Sequence, residues 1–180
     1  MTEQLIVEHG SPTLAGLKPG NLISVPATPT VDAELREISR RLAMKGVVVT
    51  PLRSVGTKVS VYLFRPKQLK TVLACPAVQR FLRSQGYADL SVAGALRTLR
   101  THLREAEFPH EIGVFLGYPL SDVIAFMRDG GRHCLVCGCW KAYSNECDAR
   151  RIFAQFDKCR EIYTRLWQEG RSLEKLTVAA

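Results

Sequence analysis

His110 and Glu111 stand side by side in FPHEIGVFLGYPLSDVIAF, residues 108–126, a stretch otherwise apolar enough to belong to a core. A polar pair set into an apolar frame is the informative kind of exception. Pro109 suits the first position of a helix, and Glu111 in its first turn would complement the helix dipole. At such a helix start the His110 ring can accept a proton, donate one or ligate a metal. A second constellation is Trp140-Lys141-Ala142-Tyr143. Read as a strand, it puts Lys141 and Tyr143 on one face and turns Trp140 into the core. Lys141 would favour the Tyr143 phenolate, or the two would grip an anion together. His9, Ser11, Thr13 and Lys18 fall in a Gly- and Pro-rich stretch whose amides and hydroxyls can cradle an anion.

The cysteines offer a different chemistry. In His133-Cys134-Leu135-Val136-Cys137-Gly138-Cys139, the Cys134-x-x-Cys137-Gly138 spacing has the form of half a zinc knuckle. The glycine would let backbone amides approach the thiolates. Zinc takes about four ligands, yet the sequence has no second Cys-x-x-Cys; Cys75, Cys147 and Cys159 stand apart. Cys134, Cys137, Cys139 and His133 therefore form the alternative site, for a metal or for redox chemistry. Reduced structural cysteines are the simpler reading.

The whole chain of 180 residues has a formal net charge of +8, unevenly spread. Eleven Lys and Arg residues lie between Lys45 and Arg104, opposed only by Asp89. Such a field attracts phosphates, anionic metabolites, RNA or an acidic protein. The hydrophobic fraction of 46% and charged fraction of 23% suit an ordinary globular chain with a sizeable core. No apolar run approaches the ~18 residues of a membrane helix. The first residues lack the basic and then apolar regions of a signal peptide. A cytoplasmic protein with reduced cysteines is expected.

The elements that must position these groups follow from periodicity. Residues 1–30 carry Gly and Pro at short intervals and are expected to form an irregular segment wrapped on the body. Asp32–Lys45 reads as a helix with Leu35, Ile38 and Leu42 on one face and Gly46 as its stop. Residues 46–49 and Val59–Phe64 read as strands of a hairpin turning at Ser54-Val55-Gly56-Thr57. Short helices are expected at Pro66–Ala74 and Pro76–Ser84. Leu90–Ala106 should be a helix whose inner stripe is Val92, Leu96, Leu99, Leu103 and Ala106, flanked by a basic stripe of Arg97, Arg100 and Arg104. Two short helices meet at Gly117-Tyr118-Pro119, and a third strand is expected near His133–Tyr143. Asn145 would cap a final long helix with Ile152, Phe153, Phe156, Cys159, Tyr163 and Leu166 inward. These elements make one α+β domain over residues 1–180. Its sheet is small, mainly antiparallel and of about three strands, packed with several helices.

The helix–break–helix of residues 108–126 also has the outline of a helix-turn-helix. Its second helix offers Ser121 and Asp122 and then apolar side chains, which cannot read base edges. Sequence-specific DNA reading by this element is not expected.

Several blocks together resemble the bacterial domain-of-unknown-function 3793 family. They are Pro12-Thr13-Leu14-Ala15-Gly16-Leu17-Lys18-Pro19 after His9, then Phe64-Arg65-Pro66 and Phe108-Pro109-His110-Glu111-Ile112-Gly113. Phe115-Leu116-Gly117-Tyr118-Pro119, Trp140-Lys141-x-Tyr143 and Lys158-Cys159 complete the set. The resemblance runs from about His9 to the last helix. It implies a site without assigning it a reaction, and it implies that Gly10 stands where relatives often have cysteine.

These readings converge on an anionic small molecule or cofactor as the ligand. His110, Glu111 and Tyr143 would do any acid–base chemistry, and His9, Lys18, Arg65 and Lys141 would hold the ligand. Metal or redox binding by the Cys134/Cys137/Cys139 cluster is one alternative. A basic module for RNA or an acidic protein partner is the other.

Overall fold

A computed structural model describes residues 1–105 and 107–179. Its centre is an antiparallel sheet of β1 (Gly20–Pro26), β2 (Val48–Val55) and β3 (Lys58–Phe64), in the order β1-β3-β2. Both faces of the central strand are buried, so its side chains alternate between two apolar layers rather than between core and water. Val59, Val61 and Leu63 face one layer, while Tyr62 and Phe64 face the other. β2 lies at the edge, where Pro51 costs no ladder bond. The register shifts between Pro51 and Arg53, and Leu52, on the same face as Val48, packs in the second layer.

The first layer holds α1 (Thr2–Leu14), α2 (Val31–Ala43), the end of α8 (Glu146–Gln168) and α9 (Leu173–Leu176). The second holds α3 (Pro66–Ala74), α4 (Pro76–Ser84), α5 (Val92–His102), α6 (Ile112–Phe115) and α7 (Leu120–Asp129). Both α3 and α4 begin with proline at the first helical position, where its missing N–H is no loss. Ser91 caps α5 by accepting from the Gly94 amide, and Asn145 caps α8 by accepting from Asp148. The expected inner residue Ala106 lies outside the described residues; Leu96, Leu99 and Leu103 are buried as the periodicity predicts. The expected α+β class with a small antiparallel sheet is what the chain forms.

Residues 1–30 are not the irregular strap expected from their glycines and prolines. They form a helix and a strand, α1 and β1. Gly10 is there for close packing, since a side chain would come within 2.4 Å of Leu63 Cδ2. Pro12 sits in the last turn of α1, where it removes one helical bond only. Gly16, at φ +77°, then ends the helix, with Leu17 N–H donating to the Pro12 carbonyl at 2.8 Å. The third strand expected near His133–Tyr143 also differs. It is a separate two-residue hairpin, β4 (Val136–Cys137) with β5 (Lys141–Ala142), and β1 takes the third place in the main sheet.

Arg65, expected to hold a ligand, is 2% exposed and holds the chain instead. Its Nε donates to the Thr13 carbonyl at 2.7 Å, and Nη2 donates to the Leu14 and Val178 carbonyls at 2.6 and 2.7 Å. Its own amide donates to the Pro19 carbonyl at 2.8 Å. A guanidinium suits this task because its donors are fixed in one plane and can serve several carbonyls at once. The α1 end, the Lys18 segment and the C-terminal tail thus meet on one side chain. A buried acceptor left without a donor costs about 1–3 kcal/mol. We therefore expect Arg65→Leu to lose about 3–6 kcal/mol in urea denaturation, with Arg65→Lys recovering only part. A loss below about 1 kcal/mol for Arg65→Leu would contradict this role.

Candidate functional site

The site region is built where the 15–19 loop meets the α6–α7 junction. Gly117 has φ +76° and lies against Pro19, so closely that a side chain would come within 2.5 Å of the proline ring. Tyr118 is thereby fixed between the two segments. Its ring stacks on Trp140 with centroids 5.3 Å apart, and its hydroxyl donates to the Cys139 carbonyl at 2.9 Å. Burial pushes its pKa up to about 12, so it is a phenol.

Asp122 locks the other side. It is 2% exposed, and its Oδ2 accepts from Trp140 Nε1 at 2.8 Å. Its Oδ1 accepts from the Tyr143 amide at 3.0 Å, and from the Ser144 amide and hydroxyl at 3.1 and 3.0 Å. One carboxylate in the first turn of α7 therefore fixes the whole Trp140–Ser144 strand. Trp140 stands edge-on to Phe153 of α8, at 4.5 Å between centroids.

Two clefts open on either side of the Tyr118–Trp140 pair. The smaller, about 140 Å³, is lined by His110, Tyr118, Asp122, Phe126, Trp140 and Lys141. The expected partners His110 and Lys141 thus share one cleft. His110 lies in the turn that precedes α6, not in a helix, with its ring 4.9 Å from that of Phe126. Lys141 Nζ donates to the Gly131 carbonyl at 2.7 Å, so one of its protons is already used.

The larger cleft, about 370 Å³, is lined by His9, Lys18, Asn21, Ser24, Cys139 and Arg160, again with Tyr118. Lys18 is its dominant feature. The residue is 6% exposed, and among the described residues its ammonium has no hydrogen-bond or ion-pair partner. Ring faces lie beside it, Tyr118 at 5.0 Å and Phe156 at 5.6 Å. Burial lowers its pKa from 10.5 to about 8; Cys139 favours the charged form and Arg160 opposes it. Arg160 reaches the cleft from α8, paired with Asp157 at 2.6 Å and donating to Cys139 Sγ at 3.4 Å.

The remaining expected residues lie elsewhere. Glu111 is 4% exposed, and its carboxylate accepts from the Tyr87 hydroxyl at 3.0 Å and pairs with His102 Nδ1 at 2.7 Å. It faces a third cleft, of about 400 Å³, which it shares with His102 and His110. Tyr143 lines none of these three clefts. Its hydroxyl is buried without a partner among the described residues. Burial first, and then Cys134, raise its pKa, so the phenolate expected beside Lys141 is disfavoured. Arg65 is spent on carbonyls, as described above.

The cysteine alternative gains no support from the geometry. All six cysteines are free, and among the described residues no three His, Cys, Asp or Glu side chains gather as a metal would require. Cys137 is exposed, and Cys139 Sγ accepts from Arg160 instead. Gly138 serves packing, since a side chain would come within 2.3 Å of the Phe153 ring. The basic stripe is partly occupied as well. Arg97 pairs with Asp89 at 3.0 Å, and Arg100 donates to Thr50 Oγ1 at 2.6 Å. No helix among the described residues is long and apolar enough to cross a membrane.

Asp122, His102 and Arg160 were not singled out from the sequence. Arg160 did leave a signal there. It follows Phe153 and Phe156 at helical spacing, a cation set within the apolar face of the last helix. Asp122 likewise is a lone acid at the start of an apolar helix, but its partners lie some twenty residues on, beyond any local pattern.

The chain belongs to the family described as protein of unknown function (DUF3793), whose model matches residues 6–177. No curated protein and no solved structure matches it.

Asp122→Asn puts an amide N–H against either the Trp140 N–H or the Tyr143 and Ser144 donors. It should cost about 1.5–3 kcal/mol. In a double-mutant cycle by urea denaturation, Trp140→Phe should cost clearly less in the Asp122→Asn background than alone. Strict additivity would show that the Trp140–Asp122 bond does not hold the strand.

Proposed function

We propose that this protein binds an anionic small molecule, and that the cleft of His9, Lys18 and Arg160 receives its anionic group. The observation that carries this reading is Lys18. An ammonium drawn largely out of water, with no protein acceptor among the described residues, loses part of its solvation on folding. A bound carboxylate or phosphate would supply that pairing, with Arg160 as a second cation and Asn21 and Ser24 as further polar groups on the wall. The field of a +8 chain would draw such a ligand in.

The His110–Lys141 cleft adjoins through Tyr118, which lines both. Its aromatic walls suit a planar or apolar part of the same ligand, with His110 available for proton transfer at its rim. Compared with the sequence expectation, His9 and Lys18 stay in the anion's cleft, Arg65 and Lys141 leave it, and Arg160 joins. Arg65 lines neither of these clefts and donates to backbone carbonyls, whereas Lys18 has no protein acceptor among the described residues.

Lys18→Met keeps the stem and removes the charge. It should raise stability by about 1–3 kcal/mol at neutral pH, as replacement of a buried charge by a hydrophobe often does. The sign with pH follows from a pKa of about 8 in the folded state against 10.5 unfolded. Below about 8 both states hold the proton and the cost is fully present. Between about 8 and 10.5 only the unfolded chain holds it, so the wild type gains stability and the advantage of the variant shrinks. Inorganic phosphate should raise the melting temperature of the wild type and leave Lys18→Met unmoved. An equal response in both proteins would refute the reading.

A further inference from the structure

Cys139 is the only cysteine that lines the larger cleft, and it does so beside the unpartnered Lys18. Its sulfur accepts from the Arg160 guanidinium at 3.4 Å, and the backbone around it is fixed by the Tyr118 hydroxyl on its carbonyl. The side chain is half-buried and open to the cleft. Neither the family blocks nor the Cys-x-x-Cys spacing singles this residue out. Its position is set by the tight β4–β5 hairpin, which turns Cys139 toward α8 while Cys137 stays exposed.

We propose that Cys139 is a nucleophile, and that the anion held by Lys18 and Arg160 belongs to a small electrophilic substrate whose carbon is presented to its sulfur. This rests on the anion-binding reading above and goes beyond it by naming a reaction. The Cys139 thiol gives its proton to water in the cleft, leaving a thiolate with the Lys18 ammonium and the Arg160 guanidinium as its counterions. The sulfur then forms a bond to the substrate carbon. The bond from that carbon to its leaving group breaks, and the leaving group departs with the electron pair. Electrons balance without an oxidant or reductant, and the product is a thioether or a thioester on Cys139.

The test uses iodoacetate, an anionic alkylating agent, against its neutral analogue iodoacetamide, with each cysteine followed by peptide mass spectrometry. Exposed Cys137 in the same hairpin is the internal standard. The iodoacetate-to-iodoacetamide rate ratio at Cys139 should exceed that at Cys137 by about tenfold or more, the scale of local anion concentration by a charged cleft. Lys18→Met and Arg160→Gln should each bring the ratio back toward that of Cys137, and inorganic phosphate should protect Cys139 from both reagents. A Cys139 ratio equal to that of Cys137 in the wild type would overturn the proposal. So would a ratio that neither variant lowers. Phosphate-dependent stabilisation together with an unreactive Cys139 would remove the nucleophile and leave the anion cleft standing. Loss of both would remove the two readings together.

Discussion

The Arg65 guanidinium is the contact on which the rest depends. It is buried, and it is satisfied by neutral carbonyls rather than by a carboxylate. Two of those carbonyls end α1, where the helix dipole is negative and a cation is favoured. A third comes from the C-terminal tail, and the Arg65 amide fixes Pro19. The loop carrying Lys18 is therefore pinned from below by Arg65, by Gln68 on the Gly16 carbonyl, and from the side by Pro19 against Gly117. Without that anchorage, a lysine with no partner would swing into water, where its charge is best solvated.

Four buried charged residues can be ranked by what satisfies them. Arg65 serves the carbonyls of Thr13, Leu14 and Val178. Asp122 receives four donors. Glu111 is held by Tyr87 and His102. Lys18 has no such partner among the described residues. The first three act as structural staples, joining segments distant in sequence. Only the fourth leaves a charge unanswered in a concave place, and a protein does not gain stability from such a charge. That contrast is what the proposed binding role of Lys18 rests on, against three staples that share its burial.

Much of the fold was legible because it rests on local chemistry. The paired Xaa-Pro helix starts at Pro66 and Pro76, the Leu stripe of α5 and the Asn145 cap all act within a few residues. The N-terminal segment was not legible because its glycines and prolines answer to distant partners. Gly10 meets Leu63, Gly20 meets Tyr62 and Gly117 meets Pro19. For the candidate site, the structure brings some of the expected residues together, since His110 shares a cleft with Lys141 and His9 with Lys18. The sequence could not tell Arg65 from Lys18. Both are single cations beside apolar residues, and only the chain's path decides which one meets carbonyls and which one meets a cleft.

The central claim is that Lys18 is a buried ammonium awaiting an anion. The most direct measurement is the titration of its ε-carbon by NMR, in the free protein and in the presence of inorganic phosphate. The account predicts a midpoint near 8 without phosphate. It also predicts an upward shift with phosphate, because a bound anion favours the charged amine. A midpoint near the ordinary 10.5, or one that phosphate does not move, would contradict it.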